Sequence, residues 1–151
     1  MKVAQKLKVR KKTLALAESC SGGLLSHRLT NIPGSSQFFF GGVVCYSNTS
    51  KTKLLGIPNM IIKSKGAVSS DVAILMAKNV RKLFKSDYGV GITGIAGPDG
   101  GSKSKPVGLT FVAVASLNEV LCIKCQFQTN RASNKQHATT QALKLLDEII
   151  L

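Results

Sequence analysis

The seven residues Ala17-Glu18-Ser19-Cys20-Ser21-Gly22-Gly23 constrain this chain more than any other stretch. A short apolar run, Thr13 to Ala17, leads into them, and a helix-like segment, Leu24 to Asn31, leads out. Strand, then a small polar turn with paired glycines, then helix is how α/β proteins build a site at a strand's carboxyl end. The glycines admit a ligand close to the backbone, and the new helix offers free N–H groups to an anion. Two hydroxyls and a thiol lie in the same turn, so it also has the means to hold a nucleophile. Taken alone, the stretch fits a plain glycine-rich turn with polar caps equally well.

The rest of the chain extends this pattern. Val3 to Arg10 reads as a short amphipathic helix with Val3 and Leu7 on one face. Phe38 to Tyr46 reads as a second strand, and Gly41-Gly42 inside it predict a bulge or a close backbone approach. Asn48 is the expected N-cap of a short helix over Thr49 to Leu55, with Lys51 in its first turn. A cation there opposes the helix dipole, a locally unfavourable placement. Gly56 to Gly66 reads as a connector. After the capping residues Ser69-Ser70-Asp71, apolar residues Val72, Leu75, Met76, Val80 and Leu83 recur at helical spacing. Tyr88 to Thr93 is a third strand that opens into the loop Gly94 to Ser102, too rich in glycine for a plain connector. Val107 to Ser116 and Val120 to Phe127 form a hairpin, and Arg131 to Leu151 is a closing helix with Ala138, Ala142, Leu145, Leu146 and Ile149 inward. Alternation first and a hairpin late predict an α/β sandwich with a mixed, mostly parallel sheet.

Length and charge limit the partners. With 151 residues the chain suits one domain with a real core. Its apolar runs are far too short for a membrane span, and the stretch after the basic N-terminus ends at Glu18, too soon for a signal peptide. A cytoplasmic protein without membrane association is expected. The net charge of +14 attracts polyanions, but the lysines are dispersed and only Lys6 to Lys12 is dense. Cys122 and Cys125 have CxxC spacing inside a predicted strand, where residues three apart face opposite sides. His27 and His137 stand at no ligand spacing to them, so free thiols are expected, with no metal and no cofactor.

Three loops are expected at strand carboxyl ends: Glu18 to Gly23, Tyr46 to Lys51, and Gly94 to Pro106. In an open α/β sheet such ends converge on one crevice. They supply Ser19, Ser21, Tyr46 and Lys51, with a glycine cradle. Serine with lysine is a known nucleophile–base pairing, provided burial or nearby positive charge keeps the amine neutral. Tyr46 can relay a proton or position the lysine. The N–H groups after the turn suit an oxyanion, and the glycine loop with the helix N-terminus suits a phosphate.

The motifs Ala17-Glu18-Ser19-Cys20-Ser21-Gly22-Gly23, Pro33-Gly34-Ser35-Ser36, Gly42-Val43-Val44-Cys45-Tyr46-Ser47-Asn48, Lys51, Leu54-Leu55-Gly56, Gly66-Ala67-Val68-Ser69, Thr93-Gly94-Ile95-Ala96-Gly97-Pro98-Asp99-Gly100-Gly101 and Lys105-Pro106-Val107-Gly108 together resemble the CinA C-terminal domain family. The likeness runs in order along nearly the whole chain and resembles the stand-alone form, one domain over residues 1–151, without a preceding pyrophosphatase-like domain. It implies a three-layer α/β/α fold with a mixed sheet and a metal-independent nicotinamide-nucleotide amidase that converts nicotinamide mononucleotide to nicotinate mononucleotide and ammonia in pyridine nucleotide salvage. On this sequence it implies Ser19 as nucleophile, with Ser21 as the alternative, Lys51 as base and Tyr46 as helper. Substrate is expected on Ser21, Gly22, Gly23, Asn48, Thr93, Gly94, Gly97, Gly100 and Lys105. The chain departs from the family pattern where Thr129-Asn130-Arg131 replaces Gly-Asp-Arg and Ser104 replaces an acid. The expected partner is a small nucleotide substrate. Homo-oligomerisation stays open, as do a non-catalytic basic nucleic-acid-binding module and an amidase acting on another carboxamide.

Overall fold

In the computed structural model, which describes residues 2–150, five segments pair into one sheet. They are Leu14–Glu18 (β1), Phe39–Val44 (β2), Tyr88–Gly94 (β3), Leu109–Ala115 (β4) and Val120–Gln126 (β5). The strand order is β2-β1-β3-β4-β5. β1 runs parallel to β2 and β3, while β4 is antiparallel to both its neighbours. Six α-helices flank the sheet: Lys2–Val9 (α1), Leu24–Thr30 (α2), Asn48–Leu55 (α3), Asn59–Lys65 (α4), Ser70–Phe84 (α5) and Arg131–Ile149 (α6).

Alternation along the strands divides the core between two faces. Leu14 and Leu16 join Val90, Ile92, Val112 and Val114 beneath α1, α2 and α6, whose Leu7, Leu25, Leu29, Ala142 and Leu146 are buried there. Ala15 and Ala17 face the other side, against Val72, Met76 and Val80 of α5 and Leu55, Ile57 and Ile62 of the α3–α4 region. The result is the expected α/β/α sandwich. On that second side the strand residues are small for a reason. A Cβ on Gly89 or Gly91 of β3 would collide with the carbonyl oxygens of Ala77 and Ala73, so their glycines let α5 lie directly on the sheet.

The predicted irregularity at Gly41-Gly42 is a β-bulge: Leu14 pairs with Phe39, and Ala15 with Gly41. Three details differ from expectation. Residues 59–65 form α4 instead of a connector, because Pro58 stands at the N-cap, where its missing N–H is no loss. Ser47, not Asn48, caps α3, its side chain accepting from the Ser50 N–H. Leu83 is 55% exposed, having rotated past the edge of the core stripe of α5. Cys122 packs with Val120 on the α5 side of the sheet, and all four cysteines are free. Among the described residues no helix is long and apolar enough to cross a membrane.

The topology places a crevice. α2 links β1 to β2 on one face, and α3, α4 and α5 link β2 to β3 on the other. The carboxyl ends of β1, β2 and β3 therefore open on the same edge, with β1 at the switch in direction of winding.

Candidate active site

Ser19 is the first residue after β1 and is 6% exposed. Its N–H donates to the Ile92 carbonyl at 3.0 Å, which extends the β1–β3 ladder by one bond and fixes where the side chain begins. The turn beyond it is held from within by Glu18. That carboxylate is buried and accepts from the N–H groups of Gly23 (3.1 Å), Leu25 (3.0 Å) and Ser26 (2.8 Å) and from the Ser26 hydroxyl (2.7 Å). A carboxylate at the start of α2 satisfies N–H groups that the helix leaves unpaired, in the favourable end of its dipole.

Lys51 enters from the other side. The Cys45 N–H donates to the Glu18 carbonyl at 2.9 Å, so the chain leaving β2 stays beside β1 before turning into α3. Lys51, in the first turns of α3, is 1% exposed. Its Nζ lies 2.9 Å from Ser19 Oγ, 2.8 Å from the Cys45 carbonyl oxygen and 3.2 Å from that of Tyr46. No carboxylate forms an ion pair with it among the described residues. Burial lowers the ammonium's pKa below its ordinary 10.5, with Cys45 and Cys20 pulling the other way. Those thiols have little power to do so at neutral pH. Burial pushes Cys20 up to about 11 and Cys45 upward too, which keeps both uncharged. A neutral Lys51 donates two N–H bonds to the carbonyls and turns its lone pair to the serine hydroxyl, the arrangement a general base requires.

The pair borders a cavity of about 240 Å³. Asn48 lines one wall, Ala67 and Val68 another, and Thr93 with the loop through Gly94, Gly97 and Gly100 a third. The Thr93 hydroxyl donates to the Ala67 carbonyl at 2.8 Å and ties two of these walls together. The Gly97–Pro98 peptide bond is cis. Beneath that loop, Asn134 of α6 donates to the Ala96 carbonyl at 3.0 Å.

Other expected positions make different contacts. Tyr46 lines the cavity but is 60% exposed, and its hydroxyl meets an Arg131 nitrogen at 3.0 Å; its carbonyl, not its phenol, touches Lys51. Ser21 is wholly buried outside the cavity lining, and its hydroxyl has no partner among the described residues. Gly22 and Gly23 also fall outside that lining, and Glu18 occupies the N-terminus of α2, so a phosphate has no place there. Lys105 donates its ammonium to the carbonyls of Lys65 (2.6 Å) and Val68 (2.7 Å), making it a brace behind the wall. Sequence reasoning assigned no role to Arg131, whose guanidinium lies at the mouth and donates to the Gly97 carbonyl at 2.6 Å. Only the Thr129-Asn130-Arg131 sequence could have pointed to it. Glu18 was also passed over, although an acid just ahead of a glycine turn and helix is a capping signal.

These features define a three-layer α/β/α domain with a buried Ser–Lys pair at the switch point of its sheet. The CinA C-terminal domain model matches residues 1–150, and the chain belongs to that family. It is 47% identical over 139 residues to a CinA-like protein of Geotalea uraniireducens, covering 92% of this chain and 33% of that one. The chain thus spans about a third of the length of such curated relatives. The competence/damage inducible protein CihA of Agrobacterium tumefaciens superposes with a TM-score of 0.95 at 34% identity, covering 97% of this chain and 90% of that one. The competence damage-inducible protein A of Klebsiella pneumoniae gives 0.94 at 28% identity over 98% and 92%.

Proposed function

We propose that the domain is an amidase that hydrolyses the carboxamide of nicotinamide mononucleotide, giving nicotinate mononucleotide and ammonia. The observation that carries this reading is the 2.9 Å contact between Lys51 Nζ and Ser19 Oγ at a cavity wall, with the amine buried and paired with no carboxylate among the described residues. Neutral Lys51 takes the Ser19 proton as Oγ adds to the amide carbon. The carbonyl electrons move to oxygen, next to the N–H of Cys20, which lines the cavity and donates to no protein acceptor among the described residues. Protonated Lys51 then gives its proton to the departing nitrogen, and ammonia leaves. Water, deprotonated by the same amine, hydrolyses the acyl ester and restores Ser19.

The mononucleotide suits the surroundings. A cavity of about 240 Å³ with an open mouth accepts the flat carboxamide ring while the ribose phosphate stays outside it. Arg131 at the rim supplies a cation for the phosphate, and Tyr46 holds that guanidinium through its hydroxyl. The test is ammonia release from nicotinamide mononucleotide by the purified domain. Turnover that vanishes with Ser19→Ala and with Lys51→Ala supports the assignment; no release by the unaltered protein sinks it. Nicotinamide itself and other carboxamides, run alongside, report whether the nucleotide portion is required.

A further inference from the structure

A cavity larger than the crevice lies at the opposite end of the sheet. It measures about 460 Å³ and sits where β1 and β3 begin and β4 turns into β5. A neighbouring hollow of about 300 Å³ shares Arg81, Ser116, Leu117, Asn118 and Glu119 with it, so the two form one groove. Lys12 and Lys85 stand in the larger arm, Lys78 and Lys82 in the smaller, and Arg81 at their junction.

Four of these cations, Lys78, Arg81, Lys82 and Lys85, follow α5 at helical spacing along one side. Like charges three and four residues apart repel, so the stripe costs the helix stability. The helix dipole offsets that for Arg81 and Lys82 in the last turn, but not for Lys78 one turn earlier. Two acids share the groove. Asp87 is already paired with Lys12 at 3.1 Å, and Glu119 forms no ion pair among the described residues. The Arg81 guanidinium, half-buried, makes only a 3.5 Å bond to the Ser86 carbonyl, leaving most of its donors open. Lys85 caps α5 in the left-handed region at φ 52°, where glycine or asparagine is usual. Tyr88, Leu117 and Ile149 add an apolar wall, and Leu117 is 77% exposed at the hairpin tip. Open cations spread over two connected hollows beside an apolar surface suit a ligand with several anionic groups on a nonpolar body.

We propose that this groove binds an organic polyphosphate, a small molecule carrying two or more phosphates on an apolar or aromatic body. It lies across the sheet from Ser19 and Lys51, and the proposal does not depend on the chemistry assigned to them.

Calorimetry with ATP, tripolyphosphate and a short DNA duplex, at near-physiological salt, tests it. Two groove variants are compared: Arg81→Gln/Lys85→Asn, in which asparagine tolerates the left-handed cap, and Lys78→Gln/Lys82→Gln on the open face of α5. Lys124→Gln/Lys144→Gln removes the same charge from exposed positions outside the groove. The expected result is ATP binding tighter than tripolyphosphate, weakened about tenfold in each groove variant and less than about twofold in the control. Absence of ATP binding, equal losses in all three variants, or tripolyphosphate binding as tightly as ATP overturns the proposal. So does tighter, groove-dependent binding of the duplex, which assigns the face to nucleic acid.

Discussion

Lys51 Nζ stands 2.9 Å from Ser19 Oγ across 32 residues of sequence, and each side chain is almost fully enclosed. A buried amine without a counter-charge is costly in a folded protein, and here it faces a hydroxyl beside a cavity. The two groups act as one unit in the proposed chemistry, so their losses should not add. Ser19→Ala and Lys51→Ala are each expected to lower kcat for ammonia release by roughly a thousandfold or more, and the double variant to be little worse than either. Additive losses in a steady-state assay would show that the two residues act separately.

Ser21 competes with Ser19 in the sequence, as a second hydroxyl in the same turn. The fold separates them: Ser19 meets Lys51, whereas the Ser21 hydroxyl is enclosed and unpartnered. Ser21→Ala should keep kcat within about threefold of the parent. Removing an unsatisfied buried hydroxyl should also leave denaturant stability unchanged or raise it by up to about 1 kcal/mol. A kcat as low as that of Ser19→Ala would move the nucleophile to Ser21.

The pH dependence follows from burial of the amine. Only neutral Lys51 can accept the serine proton, and its pKa in the fold is below the ordinary 10.5. Activity should therefore rise with pH through a midpoint lower than 10.5, set by this group. The same shift has a sign for stability. Between the folded pKa and 10.5 the unfolded chain binds more protons than the folded one. The Lys51 contribution to stability thus grows with pH across that window and is lost as pH falls through the folded value. A profile of kcat/KM from mildly acidic to alkaline pH measures the midpoint; an activity that falls with rising pH counts against a lysine base.

Much of this was legible in the residues. A short apolar run marked β1, which is buried at every position, and helical periodicity marked α5 and α6, each of which buries a stripe at its own repeat. The crevice followed from placing Ser19, Lys51 and Thr93 at strand ends. What the sequence could not display was direction. Tyr46 sits where a helper residue would, yet its phenol turns outward to Arg131. Lys105 looked like a ligand cation and is bonded to two carbonyls. The Arg131 contacts join segments 34 and 85 residues away, beyond any local pattern. The region 56–66 misled because glycine and proline mark loops, while a proline at a helix start favours the helix.

Glu18 holds the turn that presents Ser19. Its carboxylate accepts four hydrogen bonds from the first turns of α2 and is almost fully buried. Glu18→Ala leaves those donors without acceptors and opens a cavity. A loss of about 3 kcal/mol in urea unfolding is expected, together with reduced kcat, since the turn carries the nucleophile. Glu18→Gln keeps the shape and one acceptor oxygen, and should lose less on both measures. Equal stability of parent and alanine variant would remove Glu18 from this role.

Lys105 shapes the cavity without lining it. Its ammonium bridges the carbonyls of Lys65 and Val68, at the end of α4 and in the segment leading to α5, while its own backbone N–H donates to the Ser102 hydroxyl at 3.1 Å. One side chain therefore fastens the glycine loop to the wall formed by Ala67 and Val68. Lys105→Met retains the stem and removes the donors. The wall should loosen while Ser19 and Lys51, tied to β1 and α3, keep their contact. The expected outcome is a KM for nicotinamide mononucleotide raised about five- to tenfold with kcat changed less than about threefold, the split that follows when binding shared by ground and transition states is lost. Lys105→Arg should recover part of the loss, because a guanidinium also donates to two carbonyls. If Lys105→Met instead lowered kcat at unchanged KM, the brace would be acting on the reacting groups themselves.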